Sequence, residues 1–200
     1  MVRMLAPALG LAIGLAGCSG AGDGGNGAVA SGNAGAAAPA APNASPSDAK
    51  LAGLITADPQ LERLNRIVDN AGMAQVLNGV GPYTLFAPTN AAFDALGQER
   101  ADALAGEAMR PQAAALLRAH MVPGMLTRRD LMAAIDGANG QPVRMKTMAG
   151  NMLSFAREGE AIVVTSDDGA RARVTGSEGL GANGAVQPVD GVLRRAQGAQ

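Results

Sequence analysis

The chain has 200 residues, 48% of them hydrophobic and 16% charged, which suits one globular domain with some tail, and a second domain within it is not expected. Sixteen Lys and Arg stand against seventeen Asp and Glu, for a net charge of -1 and a pI near 5.8. That balance excludes the strongly basic face a nucleic-acid-binding domain requires.

The first residues, "MVRMLAPALGLAIGLAGC", carry one positive charge at Arg3, an apolar run from Leu5 to Leu15, and then small residues. That is the grammar of a secretory signal, and the run falls short of the roughly 20 residues a spanning helix needs. "LAGC", Leu15 to Cys18, resembles the lipobox of bacterial lipoprotein precursors. The resemblance implies cleavage after residue 17 and lipidation of Cys18, the sole cysteine of the chain. Ser19 follows, where an Asp would argue for retention at the inner membrane, so the outer membrane is the implied address. Residues 18–50 are then Gly, Ala, Pro, Ser and Asn with almost no large apolar group. Such a segment cannot offset its ordering entropy and is expected to be a disordered tether, spanning on the order of 30 Å. Gly20, Gly22 and Gly25, and again Gly179, Gly181 and Gly184, match the G-x-G-x-x-G dinucleotide fingerprint. Neither match sits between a strand and a helix, so both are composition.

The globular part is expected over 51–195, with a short tail at 196–200. In "DPQLERLNRIVDNAG", Leu61, Leu64, Ile67, Val68 and Ala71 recur at three- and four-residue spacing. Asp58 is the candidate N-cap and Pro59 the first helical residue, with the helix ending near Gly72. "MAQVLNG" allows a second short helix. "YTLFA" reads as a buried strand that Pro88 stops, and Thr89 or Asn90 caps the helix carrying Phe93 and Leu96. Tyr83, Phe86 and Phe93 thus fall in one window of a chain with three Phe, one Tyr and no Trp. The tight corner is expected to turn Phe86 and Phe93 into a single core; the alternative is an aromatic binding patch.

Further along, Thr127 followed by Asp130 predicts a capped helix at "RRDLMAAI". Arg128 and Arg129 sit at its positive end, which is mildly unfavourable, and they are candidates for contact with an acidic partner or a solvated pair. Extended runs at Val143–Met145, Met152–Phe155, Ile162–Thr165 and Arg171–Thr175 make the second half β-rich, with a hairpin turn at Asp167-Asp168-Gly169. The order of elements is α+β.

The blocks "YTLFAPTNAAF", "LLRAHMVPG" and "NGAVQPVDGVL" together resemble the three signature blocks of a fasciclin-like (fasciclin I type) domain. Thr84, Phe86, Pro88, Thr89, Asn90 and Phe93 match the first, His120 and Gly124 the second, and Asn183, Gly184, Asp190, Val192 and Leu193 the third. The resemblance runs from about Ile55 to Leu193 and implies a helical first half packed on a β-rich wedge or sandwich formed largely by the second half. It also implies a binding function, adhesion to cells, matrix or surface polysaccharide, on a module tethered to the cell envelope, outer membrane favoured, facing the periplasm or the cell surface. A periplasmic small-ligand carrier or a support domain of an envelope complex is the alternative. Ala119 stands where many members carry Tyr before the histidine, in stretches implicated in integrin-type adhesion of animal members, so that mode is not implied. Gln187 and Pro188 replace a more usual His-Val pair, and Pro188 predicts an edge position or bulge near its strand's start.

His120 is the sole histidine and hence the first candidate for catalysis or metal binding. Its place late in an apolar helix predicts a partly buried imidazole bonded to nearby backbone or side-chain groups. No G-x-S-x-G elbow exists, no second His or free Cys completes a transition-metal site, and Asp167-Asp168 lacks the six to eight oxygens calcium takes. No enzyme activity, metal or cofactor is expected.

Overall fold

The computed structural model describes residues 47–194; Cys18, the signal segment and the tail lie outside the described residues. The chain opens with α1 (Leu51–Ala57), whose Leu51 and Ile55 are buried one turn apart. A 3-10 turn at Pro59–Leu61 follows, capped by the Asp58 carboxylate, and leads into α2 (Glu62–Asn70) with Leu64, Ile67 and Val68 buried. The expected cap and periodicity are therefore present, with the first turn wound tighter than an α-helix. Helix α3 (Ala74–Leu77) precedes β1 (Tyr83–Pro88), and Thr89 caps α4 (Asn90–Leu96) by accepting from Ala92 N–H. Then come α5 (Gln98–Leu104), α6 (Arg110–Ala119), β2 (Met121–Pro123) and α7 (Arg128–Gly137). The second half is β3 (Val143–Lys146), β4 (Met152–Glu158), β5 (Ala161–Ser166), β6 (Arg171–Arg173), β7 (Gly179–Gly181) and β8 (Gly184–Val189).

Two four-stranded sheets result, ordered β2-β1-β8-β7 and β3-β4-β5-β6. The second is an antiparallel meander, as its short connections require. In the first, β1 runs parallel to β8 from Tyr83 opposite Gly184 to Pro88 opposite Val189. Helices cover one face of this sheet and the meander covers the other, so β8 is buried along its whole length. A strand buried on both faces reads as a continuous apolar run, which is why "YTLFA" shows no alternation.

That layering corrects one expectation. Phe86 and Phe93 do not share a core: Phe93 packs with Leu64, Ile67 and Leu117 among the helices. Phe86 points to the other face and stacks on Phe155 of β4, ring centroids 5.1 Å apart and tilted by 41°. The corner at Pro88 and Thr89 separates two cores because successive strand residues face opposite ways and the following helix stays on one side.

Pro188 is likewise not at an edge or at a strand start. It lies near the end of β8, an internal strand, opposite Ala87. Val189 O accepts from Thr89 N–H, so the residue before it turns its backbone away from β1, and no β1 bond is lost at the proline. On that far side Pro188 O accepts from Thr175 N–H. The fold also takes in the last residues assigned to the tether. Ser47 N–H donates to Leu180 O, and Ala182 N–H to Ala49 O, so the chain joins β7 before α1 begins.

Double-mutant cycles test the two-core arrangement. Phe86→Leu with Phe155→Leu should show a coupling of about 0.5–1.5 kcal/mol in denaturant unfolding, whereas Phe86→Leu with Phe93→Leu should add within about 0.5 kcal/mol.

Candidate functional site

The polar residues of the three signature blocks are spent on backbone: Thr89 caps its own helix, while Thr84, Asn90, His120, Asn183 and Asp190 each bond the backbone of a segment distant in sequence. Thr84 Oγ1 donates to Gly124 O at 2.7 Å and accepts from Leu126 N–H at 2.8 Å, fixing the exit from β2. Asn90 accepts from Arg63 N–H and donates to Pro59 O, clamping the start of α2. Asn183 Oδ1 accepts from Leu51 N–H at 2.9 Å, while its Nδ2 donates to Leu77 O and Gly79 O, each at 2.9 Å. One side chain thus ties the entry of α1, the end of α3 and the β7–β8 turn. Asp190 accepts from Arg173 N–H, joining the end of β8 to the meander. The glycines serve close approach and turning. A Cβ on Gly184 would stand 1.9 Å from Tyr83 O, and Gly124 has φ of +103°, where a side chain is strained. Val192 packs on the helical core and Leu193 is buried in the other.

His120, the residue after α6, is fully buried. Its Nδ1 lies 2.8 Å from Leu116 O, and its Nε2 lies 2.9 Å from Leu193 N. A carbonyl only accepts and an amide only donates, so the ring is the neutral Nδ1–H tautomer with both nitrogens engaged. The expectation of a structural imidazole agrees with this geometry. Burial pushes its pKa down from 6.5 to about 4, opposed by the Leu116 bond, with a smaller lowering from Arg194 and a smaller raising from Asp168.

The arginine pair divides. Arg129 is exposed, but Arg128 folds back beneath β8, donating through Nε to Gln187 Oε1 at 3.3 Å and through its terminal nitrogen to Thr175 O. Its backbone N–H meets Glu178 Oε2 at 2.9 Å, and Gln187 Nε2 bridges Glu178 and Leu126 O. Arg128 is therefore an internal strut rather than the surface cation the sequence suggests. Burial lowers its pKa, partly countered by Glu178. Glu178 had no motif to announce it, and the only sequence signal for this network is the unusual Gln187. Thr127 and Asp130 form the expected capping box, and the Thr127 hydroxyl holds the Asp130 carboxyl below its ordinary value.

An open cleft of about 570 Å³ lies beside the end of α6. Arg118, Asn151, Asp167 and Arg194 line it with Met148, so cations and carboxylates face one volume. In the sequence Asp167 and Asp168 read as a hairpin turn and an incomplete calcium site, and nothing in the spacing brings Arg118 or Arg194 to them. Among the described residues no group of three or more His, Cys, Asp or Glu is placed to hold a metal ion, and no helix is long and apolar enough to cross a membrane.

Helices packed on a mixed sheet that is itself backed by a meander define an α+β scaffold in which the distinctive residues are structural fasteners. The chain belongs to the fasciclin domain family, whose model matches residues 59–195. It is 28% identical over 150 residues to transforming growth factor-beta-induced protein ig-h3 of Sus scrofa, covering 75% of this chain and 20% of that protein. With stabilin-1 of Homo sapiens it shares 28% identity over 156 residues, 76% of this chain and 6% of the relative. Protein sll1483 of Synechocystis is 25% identical over 150 residues, 75% of this chain and 76% of its own length. The chain thus spans a small part of the animal relatives. Among solved structures, the FAS1 domain pair from the insect cell adhesion molecule fasciclin I superposes with a TM-score of 0.63 at 16% identity, over 73% of this chain and 51% of that one.

Two outcomes follow from the geometry. Between pH 6.5 and about 4 the unfolded chain binds a proton at His120 that the folded one refuses, so stability present above pH 6.5 falls as pH drops through this window. The loss is about 3 kcal/mol, and His120→Gln should remove that pH-dependent part in denaturant unfolding followed from pH 7 to 4. In the same assay at pH 7, Arg128→Ala should cost about 2 kcal/mol by stranding Gln187 and Thr175 O, while Arg129→Ala should stay within about 0.5 kcal/mol.

Proposed function

We propose that this protein is a lipid-anchored cell-envelope module that works by binding, mediating adhesion to cells, matrix or surface polysaccharide, from the outer membrane. The observation that carries the reading is that the conspicuous residues of the signature are consumed in holding the fold, with both His120 nitrogens bonded to backbone. What remains for function is surface on a family scaffold that also occurs in an insect cell adhesion molecule. The anchor reading rests on the signal-like segment ending at Cys18. Held at a membrane in many copies, such domains gain avidity from weak single contacts, because tethering raises effective concentration.

A carrier of a small polar ligand is the second reading, favoured by the cleft where Arg118 and Arg194 face Asp167. An apolar ligand does not suit that lining.

Protease added to intact cells should cleave the Gly/Ala/Pro segment between Ser19 and Pro46, and deletion of the protein should reduce attachment to neighbouring cells or matrix. Protection until the outer membrane is permeabilised would rule out cell-to-cell adhesion and favour the carrier.

A further inference from the structure

Four large hydrophobic side chains stand exposed among the described residues: Val76, Val80, Met125 and Met148. Three of them lie on segments that hydrogen bonds link, one to the next, near the entry of the described chain. Val76 lies on α3, and Gly79 N–H bonds Val76 O to turn the chain into the loop that carries Val80. Val80 is 95% exposed, an apolar side chain held almost entirely in solvent. Two residues on, Pro82 O accepts from Gly124 N–H at 3.0 Å, which brings the segment bearing Met125 alongside.

The same corner receives the N-terminal segment. Lys50 Nζ donates to Asn78 O at 2.7 Å, and Leu51 N–H bonds the Asn183 side chain that also grips Leu77 O and Gly79 O. The loop of Val80 is thus one hydrogen bond from the residues through which the first 46 residues join the fold. Residues 77–83, "LNGVGPY", carry no charge, and Lys50 is balanced by Asp48 two residues earlier. The Val80 loop is uncharged, apolar at its tip and hydrogen-bonded to the point where the described chain enters the fold.

We propose that the Val76–Val80 corner, with Met125, is a lipid-surface contact that seats the domain on the bilayer to which Cys18 anchors it. The inference rests on the anchored reading above. Only 28 residues separate Cys18 from Ser47. In the anchored reading that short separation keeps the corner close to the surface, so a few side chains suffice for a contact too weak to hold a free domain. Docking through a neutral corner is expected to survive added salt, unlike a polybasic contact.

The chain contains no Trp and one Cys, so a single reporter and a single attachment point are available. The chain from Cys18 onward, its processed form, is coupled through the Cys18 thiol to maleimide lipid in phosphatidylethanolamine–phosphatidylglycerol vesicles, carrying either Val80→Trp or Glu160→Trp. Glu160 is an exposed residue in the β4–β5 turn. For Val80→Trp, emission should move to shorter wavelength on attachment and be quenched by brominated acyl chains at low and high salt. For Glu160→Trp neither should occur. Equal quenching of the two, or none, overturns the proposal. A shift for Val80→Trp that grows with protein density without brominated-lipid quenching also overturns it, in favour of a second copy as occupant. Because attachment is chemical, a negative result leaves the anchor reading standing. That reading fails separately if Cys18 from cells carries no lipid by mass.

Discussion

The domain depends on the parallel pairing of β1 with β8, which joins residues 83–88 to residues 184–189 across most of the described residues. Nothing local holds such a pair together, since the two strands share no turn, and the loop between them must be closed at an entropic cost. The signature residues meet that cost. Asn183 and Gly184 set the start of the seam against Tyr83, and Thr89 N–H closes its end on Val189 O. On one flank, His120 carries the grip further: its carbonyl accepts from Phe86 N–H of β1 and its ring accepts from Leu193 N–H beyond β8. One residue therefore fastens both seam strands to the end of α6.

This explains why side chains that look chemical are unavailable for chemistry. A buried Asn, Thr or His is stable only with its partners supplied, and here the partners are peptide groups that would otherwise be orphaned where irregular segments cross the core. Among the described residues no buried side-chain nitrogen or oxygen lacks a hydrogen bond. The parts left to evolve a partner are the cleft by α6, the exposed Arg129 and the apolar corner at Val80. A domain of this build can vary its surface without disturbing its seam, whereas a substitution in the seam reaches both cores.

Much of the fold was legible in the residues. Leu61, Leu64, Ile67 and Val68 declare α2 by periodicity, Thr127 and Asp130 declare the start of α7, and the strands of the meander appear within three residues of their expected limits. Helix α1 was not visible because seven residues with two buried positions give too little periodicity. The division of Phe86 from Phe93 was not visible either, since which face a strand residue takes depends on what covers each face. Pro188 misled for a related reason: a proline bars a strand from the interior only if its missing donor points at a neighbour. Arg128 looked solvated because its acceptors, Gln187 and Thr175 O, come from a segment more than forty residues away. Family resemblance located the signature; only geometry showed what each residue holds.

Amide hydrogen exchange on the native chain tests most directly whether the β1–β8 seam holds the domain together. The amides of Tyr83, Phe86 and Thr89, which donate to Asn183, His120 and Val189, should exchange last, at the free energy of global unfolding, and should all accelerate together in His120→Gln. If the meander's β4–β5 amides outlast them, or if His120→Gln loosens only its own neighbourhood, the seam is not the element on which the fold depends.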